Sequence, residues 1–381
     1  MKIIYFSNSL GNTSQGGSSL SGLHFLEMLK KYFNSDVTVF SDSAHNSLSL
    51  LKHPWIKFIP TENKLIKYNF KAILKFAIKG LCNKFLCSKF YDLDLENLPS
   101  ILFVNSFTNI TEHVSFHNSE NLIKVCVVRG DVDSFNYQGD PKYFHTALGF
   151  LNQFDYLIYI SKGIQNNWNK LLDIPNYYLP NSINEDTNYE ASKNPYLKNT
   201  INIAFVGSIQ YRKGQLRLAE IMHWYEDTNV YFHLFGRLSS NDGGEDILKK
   251  LSKFKNIIFH YHTEDVGKYI YHSDLCILLS YSEAFPRTIA EYLYYGKPII
   301  STNVSGALEM VSTGSNGYII DNNDLNFYQH LIKLVDSIIY DKELQSKFGL
   351  FSKKLYEENF TSEKQYELLS HILEDISVRN L

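Results

Sequence analysis

The chain has only four cysteines in 381 residues, Cys82, Cys87, Cys126 and Cys276, and no pair of them has metal-ligand spacing. A disulfide framework is therefore not expected, and the four read as reduced packing residues of a cytosolic protein. No window approaches the roughly eighteen consecutive apolar residues of a membrane-spanning helix. The opening stretch MKIIYFSNSL carries too short an apolar run for a signal-peptide core. Internal repeats and low-complexity tracts are also missing, and neither sign of charge dominates. The formal net charge is -3, with +3 on residues 1–182 and -6 on residues 183–381. That mild asymmetry is far from the dense basic face of a nucleic-acid binder, so no nucleic-acid partner is expected.

A hydrophobic share of 44%, a charged share of 20% and an aromatic share of 15% describe a folded globular protein. The length suits two domains of about 150 to 200 residues each. Short β-branched and aromatic runs recur along the first half: KIIYFS, DVTVFS, WIKFI, ILFVNS, IKVCVV and YLIYIS. A second series follows with INIAFVG, VYFHLFG, NIIFHY, LCILLS, KPIIST and GYIID. Helix-like segments separate the strands of both series, which predicts an α/β protein made of two doubly wound units with parallel sheets. The stretch NSINEDTNYEASKNPYLKNT, residues 181–200, is poor in apolar residues and reads as a linker. The expected layout is an N-terminal domain over 1–182, a linker over 183–200 and a second domain over 201–360. A terminal helix over 361–381, capped at Thr361 or Ser362, is expected to cross back to the first domain.

Doubly wound sheets bind ligands beyond the carboxyl ends of their strands. In FVGSIQYRKGQLRLAEIM, Gly207 ends a strand, and Arg212, Lys213 and Gly214 stand at the predicted entry of a helix. Two cations there oppose the helix dipole unless an anion is also present, and a bound diphosphate would supply one; a solvated basic turn is the plainer alternative. In SEAFPRTIAEYLYYGKPIIST, residues 282–302, Glu283 precedes a turn through Phe285 and Pro286. A helix is predicted from about Arg287, with the proline in its first turn. The first amides of that helix and the Thr288 hydroxyl form a second expected anion site. Glu283 and Glu291 have the residue types of a glycosidase pair. Flanking an anion site on one loop, they suit hydroxyl recognition better, while a helix-stabilising acid plus a buried structural glutamate is the alternative.

Residues 282–321, SEAFPRTIAEYLYYGKPIISTNVSGALEMVSTGSNGYIID, resemble the signature of retaining glycosyltransferases of family 4. The shared features are Glu-x7-Glu, Phe-Pro after the first Glu, Gly-Lys-Pro before a strand, then Gly-x-x-Glu and Asn-Gly. Similar fragments are GGSSLSGLHFLEMLKK, YISKGI, LPNSINED, FVGSIQYRKG and ENFTSEKQ. The resemblance implies the GT-B fold, two Rossmann-like domains facing a central cleft. It also implies retaining transfer of a sugar from a nucleotide-sugar donor, without a metal or other cofactor. The expected acceptor is a glycan, a lipid-linked molecule or a protein, in surface polysaccharide or glycoconjugate assembly. By this resemblance Glu283 contacts the donor sugar, Glu291 holds the ribose, Lys213 faces the diphosphate and Gly17 lies near the donor phosphates.

Departures from the family pattern include Ser208 where arginine is usual, Arg129-Gly130-Asp131 where a histidine is common, and Ser182 where glycine is usual. The expected catalytic residues are Glu283, Lys213 and Arg129. The expected donor-binding residues are Gly16, Gly17, Ser208, Arg212, Phe285, Pro286, Arg287, Thr288, Glu291, Asp131 and His262, the last in place of a commoner glycine. A structural ion pair of Arg129 with Asp131 or Asp133 is the alternative for that arginine. A non-catalytic GT-B partner that stabilises an active enzyme is the competing function, although such proteins tend to lose the glutamate pair and the lysine. Residues 63–91 hold seven lysines and no acid. Lys64, Lys67, Lys71, Lys75 and Lys79 fall on one face of a predicted helix. This fits peripheral contact with an anionic membrane at its cytoplasmic face, or equally a solvated lysine face.

Overall fold

The computed structural model describes residues 2–7, 17–34, 37–41, 56–60, 88–91, 100–105, 113–116, 122–132, 141–183, 185, 192–261, 263 and 265–379. The chain divides into two compact units. Met1–Ile160, Ile164–Leu179 and Leu369–Leu381 form the first, and Ser161–Gly163 with Pro180–Leu368 form the second.

In the first unit β1 (Lys2–Ser7) is followed by α1 (Gly17–Phe33), β2 (Val37–Ser41) and β3 (Ile56–Pro60). Next come β4 (Ser88–Tyr91), β5 (Ser100–Asn105), β6 (His113–Phe116), β7 (Leu122–Val128) and α2 (Pro141–Leu151). The series closes with β8 (Tyr156–Tyr159), α3 (Lys162–Trp168) and β9 (Asn176–Tyr178). The main sheet runs in the order β3-β2-β1-β5-β7-β8-β9 with every pairing parallel. Strands β4 and β6 pair only with each other. Lys89, the last of the seven lysines in residues 63–91, lies in strand β4. The predicted basic helix that carries Lys64, Lys67, Lys71, Lys75 and Lys79 falls outside the described residues. Central strands such as β5 are buried on both faces, as a parallel sheet covered by helices requires.

The second unit contains β10 (Ile201–Val206), α4 (Met222–Tyr225), β11 (Val230–Phe235), α5 (Gly244–Leu251) and β12 (Ile257–Tyr261). It continues through α6 (Val266–His272), β13 (Leu275–Leu278), α7 (Arg287–Tyr294), β14 (Ile299–Thr302) and β15 (Gly317–Ile320). Three helices finish the chain: α8 (Phe327–Ile339), α9 (Lys342–Asn359) and α10 (Ser362–Arg379). Its parallel sheet has the order β12-β11-β10-β13-β14-β15. Counted within the unit this is 3-2-1-4-5-6, so the order reverses between β10 and β13, and the loops leaving those strands flank the ligand-binding crevice of such sheets.

The described part of the segment read as a linker is tied to the second unit. The Tyr196 hydroxyl donates to Tyr269 O at 3.0 Å, and Ser192 Oγ lies 2.9 Å from His272 Nε2. Ser182, where the family has glycine, donates its hydroxyl to Gln365 Oε1 at 2.5 Å. At the start of α10 the Thr361 hydroxyl accepts from Lys364 N at 3.1 Å, an N-cap. Among the described residues no helix is long and apolar enough to cross a membrane.

Candidate active site

Strand β10 ends beside α7. The Val206 amide donates to the Tyr292 hydroxyl at 2.9 Å, which fixes α7 over the switch point. The helix buries Ile289, Ala290, Tyr292 and Leu293, one face at helical spacing, and so cannot turn its polar residues inward. After β10 the sequence predicts a helix entered at Arg212–Gly214. The structure instead forms a 3-10 turn, Tyr211–Lys213, and a second 3-10 segment, Gln215–Glu220. Gly214 between them has φ +74°, and a Cβ there would stand 1.9 Å from Leu279 O. No other residue fits that left-handed close approach, which sets Lys213 against the loop leaving β13.

That contact supplies the anion which the basic pair demands. Lys213 Nζ donates to Glu283 Oε1, Ser280 Oγ donates to the same oxygen at 2.9 Å, and Arg212 Nη1 lies 3.7 Å from Oε2. Arg212 Nη1 also donates to Ser282 O at 2.7 Å. The sequence asks for an anion beside Arg212 and Lys213, and within the described residues a carboxylate from 70 residues further along the chain stands there. Burial pushes the Glu283 carboxyl up, but Lys213, Arg212 and the two hydrogen bonds outweigh it and hold the group below the usual carboxylate range. Glu283 is therefore a fixed anion and an acceptor, not a proton donor.

Helix α7 begins at Arg287. Pro286 occupies the N-cap position, one residue earlier than the first-turn place predicted, and provides no side-chain cap. Of the leading amides, that of Ile289 donates to Pro286 O at 2.9 Å, and no side chain caps the start of the helix. Thr288 Oγ1 is buried and has no hydrogen-bond partner among the described residues. Orphaned buried hydroxyls are rare, and one beside an uncapped helix start fits a ligand oxygen. Glu291, one turn further on, is half-buried. Burial raises its carboxyl, with the Arg287 and Lys213 charges opposing. Burial likewise lowers Arg287, against the pull of Glu291.

The structure brings Lys213, Arg212, Glu283, Arg287, Thr288 and Glu291 to one sheet edge. Other predicted site residues have different surroundings. Phe285 is buried, with its ring 6.1 Å from that of Phe360, which is a packing contact. Ser208 is exposed and its hydroxyl accepts from Gln210 Nε2 at 2.9 Å. Arg129 and Asp131 belong to the first unit and form a cluster of their own at the end of β7. Arg129 Nε donates to Asn105 Oδ1 at 2.5 Å, and Asp131 accepts from Asn167 Nδ2 at 3.0 Å. Gly17 opens α1, and Gly16 and His262 lie outside the described residues.

Sequence reasoning missed the support of this loop. Thr302 Oγ1 donates to Ser280 O at 2.6 Å and so positions the serine that bonds Glu283. Arg217, buried, has its guanidinium carbon 3.9 Å from the Tyr281 ring centre and 4.4 Å from that of Phe327, and donates to Asn322 Oδ1 at 2.8 Å. Serine, threonine and a lone arginine have no motif signature, and only the fold gathers them.

Residues 188–355, which hold this cluster, match the family described as glycosyl transferases group 1. They belong to that family. The chain is also similar to a capsular polysaccharide biosynthesis glycosyltransferase, CapM of Staphylococcus aureus. That match is 23% identical over 49% of this chain and 49% of the relative. The chain matches 39% and 32% of the length of two further curated relatives. Among solved structures, sucrose-phosphate synthase from Thermosynechococcus elongatus aligns over 100% of both chains with TM-score 0.71 and 15% identity. HepE of Anabaena, solved with UDP, aligns over 98% of this chain and 100% of its own with TM-score 0.72 and 16% identity. These likenesses show the fold, which is GT-B.

Proposed function

We propose that the chain is a retaining glycosyltransferase that moves a sugar from a nucleotide-sugar donor to a glycan, lipid-linked or protein acceptor in surface polysaccharide or glycoconjugate assembly. The observation that carries this reading is the Lys213–Glu283–Arg212 cluster at the switch point, beside the uncapped start of α7. The name of CapM and the HepE complexes with UDP, UDP and glucose, and UDP-glucose point the same way.

Cleavage of a glycosyl phosphate develops negative charge on the departing diphosphate. Lys213, Arg212, the leading amides of α7 and the Thr288 hydroxyl provide fixed positive ends for that charge. Glu283 has lone pairs left for sugar hydroxyls while holding the Lys213 side chain in position. Glu291 in this reading takes the two ribose hydroxyls. In this reading the departing phosphate oxygen helps to deprotonate the acceptor hydroxyl on the same face of the sugar, which retains the anomeric configuration. Arg129 is assigned a catalytic role and Asp131 a donor-binding one, and residues 63–91 are assigned to contact with an anionic membrane.

A thermal-shift screen of the full chain against nucleoside diphosphates and sugar nucleotides tests the donor site, followed by NMR of the transfer product. Stabilisation by one nucleoside diphosphate and a product with the donor's anomeric configuration are expected. Inversion of configuration contradicts the retaining mechanism, and stabilisation by none of the ligands contradicts the donor assignment.

A further inference from the structure

The Gly-Lys-Pro step after α7 has no place in the cluster described above, yet it leads to a second concavity. Helix α7 ends in a Schellman turn. Gly296, at φ +61°, donates its amide to Leu293 O at 2.9 Å, and Lys297 donates its amide to Tyr292 O at 3.0 Å. The turn places Lys297 just before β14, at the amino-terminal edge of the second sheet. Lys213 and Glu283 sit at the carboxyl-terminal edge, so the two positions are at opposite ends of the same parallel strands.

A cavity of about 670 Å³ opens there, lined among others by Tyr271, Asp274, Tyr294, Lys297, Lys342 and Lys353. Lys297 Nζ donates to Ser273 O at 3.1 Å and lies 5.2 Å from the centre of the Tyr271 ring. Lys353 Nζ donates to Tyr294 O at 2.9 Å and lies 4.2 Å from the centre of the Tyr294 ring. Carbonyl oxygens and ring faces attract an ammonium but carry no net charge. Neither lysine forms an ion pair with a described carboxylate. Asp274, the acid in the lining, is already engaged by Lys342 Nζ at 2.6 Å and by the Asn202 amide at 2.8 Å.

Two half-buried ammoniums in one cavity, with no carboxylate of their own, carry a desolvation cost that an entering anion relieves. The volume lies within the range of small-molecule sites, roughly 300 to 1,000 Å³. Ser346 and the tyrosine hydroxyls of the lining suit a polyhydroxylated body. We propose that this cavity binds an anionic saccharide, a sugar that bears a phosphate or a carboxylate, with Lys297 and Lys353 holding the anion. The site is separate from the cluster at the other sheet edge and does not depend on the function assigned to it.

Calorimetric titration of the full chain with glucose 6-phosphate, glucuronate, glucose and inorganic phosphate tests this. At least one of the two anionic sugars should bind, with glucose and inorganic phosphate weaker by about tenfold or more, a difference of about 1.4 kcal/mol. Lys297→Gln and Lys353→Gln should each weaken the anionic sugar by about tenfold, the scale of one charge-assisted hydrogen bond. Lys353→Arg should restore binding, and Lys213→Ala should leave it unchanged. If Lys297→Gln fails to fold, the Lys353 pair of variants decides alone. Four results overturn the proposal: no binding of either anionic sugar, binding that Lys353→Gln does not change, binding lost in Lys213→Ala, or inorganic phosphate binding as tightly as the sugars. Binding only to vesicles of anionic lipid overturns it as well and would make the cavity a headgroup site.

Discussion

The pairing of Lys213 with Glu283 should be measurable as a coupling energy. The two side chains are 14% and 9% exposed, so water screens them little, and removing one partner of a buried pair costs about 3–5 kcal/mol. Lys213→Met leaves Glu283 with Ser280 Oγ at 2.9 Å and Arg212 Nη1 at 3.7 Å, which places that variant near the lower end, about 3 kcal/mol. Glu283→Gln strips the Lys213 ammonium of its charge partner but leaves an amide oxygen, for a cost of about 2–3 kcal/mol. The double variant buries neither charge, so its cost should fall short of the sum by about 2 kcal/mol. Urea unfolding followed by circular dichroism on the wild type, both singles and the double closes the cycle. With about 2–4 °C per kcal/mol for a unit of this size, Lys213→Met should also lower its melting temperature by about 6–12 °C. Additive costs, with coupling below about 0.5 kcal/mol, would refute the ion pair as the element that joins the two loops.

Thr288→Val removes a buried hydroxyl with no protein partner, so stability should hold or rise slightly, while nucleoside diphosphate affinity falls by about tenfold in calorimetry. Unchanged affinity would remove Thr288 from the donor site. Gly214→Ala should destabilise the second unit by about 2 kcal/mol or more in urea unfolding, because φ is +74° and the new Cβ meets Leu279 O. His233 is held down to about 3, by burial first and then by neighbouring His260, with its ring nitrogens 2.9 Å from His260 Nε2 and Asn202 Oδ1. A depressed histidine stabilises the fold fully above its unfolded value near 6.5 and progressively less as the pH falls towards 3. Unfolding free energy should thus drop by about 3 kcal/mol between pH 6.5 and pH 4 through His233, and His233→Gln should flatten that slope.

Much of the second unit was legible because its strands are short aliphatic and aromatic runs, four of which stop at glycine, serine or aspartate. All six runs read there, from INIAFVG to GYIID, correspond to strands β10 to β15. In the first unit the short strands SKFY, HVSF and NYY escaped, because with so few apolar residues they show no period. The region after β10 was misread for a physical reason. QLRLAEIM has helical spacing, but the positive φ of Gly214 and its contact with Leu279 O force two 3-10 segments in place of a helix entered at the basic pair. The counter-charge of Lys213 was invisible for another reason. Glu283 comes 70 residues later, and only the 3-2-1-4 strand order makes the ends of β10 and β13 neighbours. Motif spacing singled out Lys213 and Glu283 on their separate loops but could not show that they bond to each other.

Release of nucleoside diphosphate from a panel of nucleotide sugars, by the full chain and by Lys213→Ala, tests the donor assignment most directly. One or a few nucleotide sugars should be turned over by the wild type, and Lys213→Ala, folded by circular dichroism, should be slower by about a hundredfold or more. Turnover of none of them by the wild type, or an undiminished rate in Lys213→Ala, would contradict a glycosyl-transfer site built on Lys213 and Glu283.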